Sequence, residues 1–169
     1  PMANFAGAKA SEWVPIRVGT DAALALGMAN VMVNEHGIFD GPYLQAKTNA
    51  PYLIGPDKVY VRDPESKEPL IWDTRLQCAR IYKEVPAADS ALEGEFTVNG
   101  VRCRPAFECL RQHLKQFTPE WAEEKSGIPA ATISRLGKEF GTEARIGSTI
   151  VVEGVTLPYR PVAAIAFRG

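Results

Sequence analysis

Arg17-Val18-Gly19-Thr20-Asp21 brings a guanidinium, a turn-forming glycine, a hydroxyl and a carboxylate together just before the apolar stretch Ala22–Val33. The order reads as a strand end, a glycine turn and a helix N-terminus. Such a junction leaves backbone N–H groups free and carries a partial positive charge, so with Arg17 beside it the site suits a phosphate or a nucleobase edge. Asp21 has two readings. It could cap the helix, or its carboxylate, a poor phosphate neighbour, could accept the paired N–H donors of a guanine. A second candidate is Glu153-Gly154, opening the loop Glu153–Thr156, because binding loops in α/β proteins lie at the carboxyl ends of strands.

Other polar residues offer less chemistry. Glu120, Glu123 and Glu124 could suggest paired catalytic carboxylates, but acidic residues at a helix start usually form a solvated face answering the helix dipole. Cys78, Cys103 and Cys109 are odd in number and widely spaced, which excludes a disulfide framework or a CxxC-type zinc site and leaves them as packing residues. His36 and His113, the only histidines, read as solvated helix positions. No metal ligand is assigned.

Several elements must position these residues. Trp13–Val18 reads as a short strand, with Pro15 confining it to an edge. From Ala22 to His36 the apolar residues Leu24, Leu26, Met28, Val31, Met32 and Val33 spread around a helix, as they would in one buried on more than one side and flanking a sheet. Gly37 stops it, and Ile38–Gly41 turns the chain. Lys58–Arg62 and Pro69–Trp72 flank a polar stretch as a hairpin would. Glu95–Val98 and Val101–Arg104 form a sharper one around Asn99-Gly100, the type I′ turn pair. Together they read as an insertion at about 56–104. Then come three helices: Pro105–Phe117 with Phe107, Leu110, Leu114 and Phe117 on one face, a short helix opened by Thr118-Pro119-Glu120 and stopped at Ser126-Gly127, and Ala130–Phe140 with Ile133, Leu136 and Phe140 inward. Ile146–Val152 reads as a buried strand. The fold class is α/β, with residues 1–169 as one domain.

Composition narrows the function. A net charge of −1 gives no footprint for nucleic acid, and no apolar run is long enough to insert into a membrane. Pro1 stands where an initiating Met would be, and Arg168-Gly169 follow directly on the apolar run Val162–Phe167, so the chain reads as a piece of a longer protein, with residues 1–11 a frayed start or the tail of an upstream helix.

Two blocks carry a family resemblance. Trp13-Val-Pro-Ile-Arg-Val-Gly-Thr-Asp-Ala-Ala-Leu-Ala-Leu26, with the Glu35–Asp40 ending, resembles the W-I-P-I-R-P-G-T-D-x-A-L segment of molybdopterin oxidoreductases of the dimethyl sulfoxide reductase family. Phe117–Ile133 is similar to that family's T-P-E-W-A-x-x-x-[ST]-G-[VI]-P-A-x-x-I, and the two blocks occur in the family's order. Residues around Pro69–Asp73 and Ala91–Gly94 are similar to the branch acting on sulfur oxyanions or aromatic-acid derivatives.

The resemblance implies a catalytic-subunit fragment in a three-layer, Rossmann-like domain with inserted β-hairpins. That domain binds one arm of a bis(molybdopterin guanine dinucleotide) cofactor carrying molybdenum or tungsten. Arg17, Gly19, Thr20 and Asp21 match the motif near the nucleotide, with Asp21 the expected guanine acceptor; Val18 replaces the usual Pro and is expected to loosen the turn. Glu153 and Gly154 match a loop reaching towards the pterins and the metal. Implied partners are an iron–sulfur electron-transfer subunit and the rest of the catalytic subunit. The metal ligand and the iron–sulfur cluster are expected outside this chain, which alone should be inactive. Two other readings compete: a non-catalytic structural or interaction domain without cofactor, and an unrelated small α/β enzyme using Glu153 or a helix-terminus carboxylate.

Overall fold

A computed structural model of the chain describes residues 9–164. Most of the expected frayed start, and the end of the run Val162–Phe167, therefore lie outside the described residues. The chain divides into two compact units, residues 1–39 with 114–169, and residues 40–113. The described residues combine helices with antiparallel strand pairs, a mixed α/β chain.

The first unit is built on three helices. Asp21–Asn30 (α1) continues into a wider π-type turn, Val31–Glu35, and Gly37 follows at φ +62°. Pro119–Ser126 and Ala130–Glu143 are also helical, and both pack against α1. The buried residues Ala23, Gly27, Asn30 and Val31 recur at helical spacing on one face of α1 and its continuation, so the expected burial on more than one side is not complete, and helices cover that face rather than a sheet. The contact is close because glycines face it. A methyl group on Gly27 would lie 2.8 Å from Ala122 Cβ, one on Gly137 would lie 3.0 Å from Val31 Cβ, and one on Gly141 would lie 3.1 Å from Ile38 Cδ1. Ala122, Ile128 and Ile133 form the core beneath, with Val14, Ile16, Leu24, Met28 and Trp121 packed around them.

Two strand readings need correction. Trp13–Val18 forms no strand: Val14 and Ile16 alternate into the helical core as a strand's inner residues would, but no neighbouring strand supplies a ladder. The segment Ile146–Val152 is not buried. Thr149–Val152 pairs antiparallel with Val155–Pro158 in a hairpin exposed throughout.

The second unit opens with Gly41–Lys47 (α2), a helix absent from the sequence reading, which took this point as a turn. Asp40 caps it, accepting from the Tyr43 N–H at 3.1 Å. Leu53–Ile54 (β1) pairs with Val101–Pro105 (β5), which pairs with Phe96–Val98 (β4), giving the order β1-β5-β4. The expected tight turn is present at Asn99 (φ +50°) and Gly100 (φ +77°). Leu70–Asp73 (β2) instead takes Cys78–Ile81 (β3) as its main partner, while Arg62 and Pro69 form only a single bridge. Leu53, Leu70, Val98 and Cys103 make the core of this unit, and Trp72 stacks on Phe96 with ring centroids 4.3 Å apart. In the helix Ala106–Leu114 (α3), Phe107 and Leu114 are buried as expected, but Leu110 is 50% exposed. Leu110 lies at the edge of the face that carries Phe107 and Leu114, about 60° round the helix from Phe107. Cys103 and Cys109 pack, and burial raises both thiols above their ordinary value. Cys78, expected to pack, is exposed on β3.

Asp73 organises the β2–β3 turn. Its side chain is fully buried, and Oδ1 accepts the N–H groups of Arg75 and Leu76, both at 2.9 Å. Arg80 Nη1 stands 3.6 Å from Oδ2. The Leu76 N–H, then that of Arg75 and the Arg75 and Arg80 charges, hold the carboxyl below its usual value against the cost of burial. A lowered folded-state pKa gives stability that is full above the unfolded value of about 3.9 and is lost as pH falls through the folded one. Asp73→Asn is therefore expected to lower stability at neutral pH and to flatten its decline in acid, read by urea unfolding at successive pH values; an unchanged slope would contradict this role.

Helix contact predicts a second outcome. Gly27→Ala raises helix propensity by about 1 kcal/mol, but forcing the α1 backbone away from Ala122 should produce a net loss of about 1–3 kcal/mol in urea unfolding. A stabilised variant would show that the helices are not in contact there.

Candidate functional site

Hereafter α4 is Pro119–Ser126, α5 is Ala130–Glu143, and β6 and β7 are the strands of the exposed hairpin. The last carbonyls of any helix lack intrahelical partners and carry partial negative charge. In α4 they are met by Arg17, whose Nη1 donates to the Glu124 carbonyl at 2.7 Å and, more weakly, to that of Lys125 at 3.4 Å. The Arg17 backbone N–H donates to the Ser126 carbonyl at 3.0 Å. Gly127 closes the helix in the left-handed conformation (φ +76°), its N–H on the Glu123 carbonyl at 2.8 Å. The arginine stem lies across that glycine. A methyl group there would come within 3.2 Å of Arg17 Nε.

The next residues turn back sharply. The Thr20 N–H reaches the Arg17 carbonyl at 3.3 Å and the Thr20 hydroxyl donates to the same oxygen at 2.7 Å, with Gly19 between them at φ +80°. A positive φ at the third residue is what a type II turn requires, and glycine adopts it freely. Val18 in place of the usual Pro does not open the turn. Thr20 then starts α1 through its carbonyl, which accepts from the Ala23 N–H at 2.9 Å.

Thr20 is the N-cap residue, yet its side chain makes no cap bond. Asp21 occupies the exposed first turn, and no hydrogen bond to its carboxylate is formed among the described residues. Of its two readings, the helix cap is not realised. The corner therefore presents a carboxylate beside first-turn N–H groups, the kind that a helix leaves without intrahelical partners.

Glu153 and Gly154 lie elsewhere in the same unit, at the tip of the β6–β7 hairpin. Both have positive φ, +51° and +80°, as a two-residue type I′ turn demands. No hydrogen bond joins this tip to residues 17–21 among the described residues.

The acidic run has structural duties. Glu123 Oε2 accepts the Ala130 N–H at 2.9 Å and so caps α5, a role the sequence reading missed although Gly127-Ile128-Pro129 marks the start of a new helix. Glu120 is held below its usual value by its own backbone N–H and the Thr118 hydroxyl, and Glu124 by the Lys125 ammonium. Thr118 caps α4 as expected, accepting from the Trp121 N–H at 3.2 Å. Among the described residues no group of three His, Cys, Asp or Glu side chains is placed to hold a metal ion, and no helix is long and apolar enough to cross a membrane.

The chain thus carries a helix-start corner, with a carboxylate that no hydrogen bond engages among the described residues, clamped to a second helix. Over 162 residues it is 36% identical to a sulfite dehydrogenase subunit of Allochromatium vinosum, covering 86% of this chain and 16% of that protein. It is 28% identical to the alpha subunit of perchlorate reductase from Dechloromonas aromatica, and also 28% identical to a putative dimethyl sulfoxide reductase catalytic subunit from Halobacterium salinarum. These matches cover 84% of this chain in both cases and 20% and 18% of the respective relatives, so the chain spans about a fifth or less of their length. No protein-family model matches. The relatives are molybdopterin oxidoreductases. This chain belongs to their dimethyl sulfoxide reductase family and corresponds to a stretch of the catalytic subunit.

Arg17→Ala should remove the charge-assisted bonds at the end of α4 and cost roughly 1–2 kcal/mol in urea unfolding, with faster amide exchange at Gly127. Arg17→Lys should not restore it, since an ammonium cannot lie flat over Gly127 and reach the carbonyls in the same fork.

Proposed function

We propose that the complete protein is the catalytic subunit of a molybdenum or tungsten oxidoreductase, performing two-electron redox or oxygen-atom transfer, and that this stretch grips the guanosine end of a bis(molybdopterin guanine dinucleotide) cofactor. The Asp21 carboxylate at the start of α1, exposed and without a hydrogen bond among the described residues, carries the reading. A carboxylate presents two acceptors, which suits the adjacent ring N–H and exocyclic amine of guanine. The pair of carboxylate acceptors therefore fits the base, while first-turn N–H groups fit the neighbouring phosphates.

Within this corner Gly19 brings the backbone close to the nucleotide, Thr20 holds the turn shut, and Asp21 accepts from the base. Arg17 acts from behind, because its guanidinium is committed to α4; its contribution is to set the turn's position. Glu153 and Gly154, at the hairpin tip, are proposed to reach towards the pterin end. When bound, the cofactor supplies the redox chemistry, and the protein supplies grip and orientation. Further polypeptide of the same subunit is proposed to complete the Rossmann-like layers, with residues 1–169 as one part of that domain and 56–104 as its insertion. The metal ligand and an iron–sulfur cluster are proposed to lie outside this chain, and electrons to pass to a separate iron–sulfur subunit. The sulfite, perchlorate and dimethyl sulfoxide enzymes among the relatives support a small oxygen-bearing sulfur or halogen compound as substrate.

Guanosine diphosphate at millimolar concentration is expected to shift the amide signals of Gly19–Ala22 in a nitrogen-15-labelled sample. Asp21→Asn should weaken that binding by roughly ten- to hundredfold, the equivalent of about 1.5–3 kcal/mol for a bond to a charged group. Adenosine diphosphate, which lacks guanine's pair of donors, should bind like the variant. Equal shifts with both nucleotides would overturn the guanine assignment.

A further inference from the structure

The β6–β7 hairpin has two unlike faces. Register pairs Ile150 with Leu157 and Val152 with Val155, which places these four aliphatic side chains together on one face. Thr149, Val151, Thr156 and Pro158 occupy the other. All four residues of the aliphatic face are 42–57% exposed. A two-stranded hairpin is marginal in water unless one face packs against something. Natural sheet edges left in solvent are usually blunted by charge, yet the only charged residue from Thr149 to Pro158 is Glu153, in the turn. Neither outer edge of the pair is joined to a third strand among the described residues.

We infer that the Ile150/Val152/Val155/Leu157 face is an internal packing surface of the complete catalytic subunit, covered by a β-layer from polypeptide of the same subunit outside this stretch. The inference rests on the reading of the chain as part of a larger subunit. Two observations select this occupant. Relatives extend five to six times the length of this chain, so most of the subunit is available to cover the face. An uncharged aliphatic face with unprotected edges also suits permanent burial; a partner that comes and goes must leave behind a surface that tolerates water. The type I′ turn would then hold Glu153 and Gly154 at the rim of that covered layer.

The test compares the full-length subunit with the 169-residue chain. Single variants Val152→Cys, on the aliphatic face, and Thr156→Cys, on the other, are reacted with a water-soluble maleimide, and labelling at each site is followed by peptide mass spectrometry. Val152→Cys should label at least about tenfold more slowly in the full-length subunit than in the short chain, independently of concentration, with a much smaller difference at Thr156→Cys. Hydrogen exchange over 149–158 in the unaltered proteins should give the same contrast and does not depend on the variants folding. Equal rates in both proteins overturn the inference. Protection that appears in the short chain as concentration rises assigns the face to a second copy, and protection that needs a separate subunit assigns it to that partner; either result overturns it as well. The molybdenum and tungsten content of the same full-length preparation separately tests the oxidoreductase reading, so the two can fail independently.

Discussion

The guanidinium of Arg17, lying over Gly127 and donating into the last carbonyls of α4, couples two parts of the chain separated by about a hundred residues. Without it, the extended segment, which lacks strand partners, would keep Val14 and Ile16 in the helical core and the Glu12–Arg135 ion pair to α5, but not the side-chain clasp on α4. With it, the backbone at Arg17 is tied by its own N–H to Ser126, and the turn that follows begins from a fixed point. The start of α1, and therefore the direction in which Asp21 projects, follows from that anchor. Neither sequence block makes the corner alone.

The unit formed by residues 40–113 is stabilised differently. Its strands are short, and much of its order comes from side chains folded back on local backbone. Asp73 closes the β2–β3 turn, and Asp63 accepts the N–H groups of Glu65 and Ser66 in the preceding loop. Glu95 is gripped by Arg102 and Arg104, which share one face of β5, and this pairing holds its carboxyl below the usual value. Such contacts determine loop shape in a region with little regular ladder.

What was legible in the sequence depended on whether the deciding interaction was local. Asn99-Gly100, Thr118-Pro119 and Ser126-Gly127 announced a hairpin turn, a helix start and a helix stop because each signal lies within a few residues of its effect. Trp13–Val18 misled because alternation records which side chains are buried and says nothing of the neighbour: a strand and an isolated extended segment look alike. Ile146–Val152 misled in the opposite way, since an aliphatic run suggests burial, and here its strand and the partner strand are exposed throughout. Arg17 was legible as a candidate site residue from its neighbours and from the family resemblance, but its attachment to Glu124 was not, because nothing in either block names its counterpart. The short helix Gly41–Lys47 escaped notice because it buries no residue, although Asp40 and Pro42 carried its start signals.

Three glycines on the facing surfaces of α1 and α5 have a consequence for how the corner could change over time. Elsewhere in this core, separation between backbones is set by aliphatic side chains, and Ile, Leu and Met can exchange with modest repacking. At Gly27, Gly137 and Gly141 the close approach depends on the missing Cβ, since a methyl group there would meet Ala122, Val31 and Ile38 at 2.8–3.1 Å. Substitutions in the aliphatic core can therefore accumulate while the helix axes hold their distance. Drift in sequence would be absorbed as altered side-chain texture, and the position of the turn that presents Asp21 would be the slower variable.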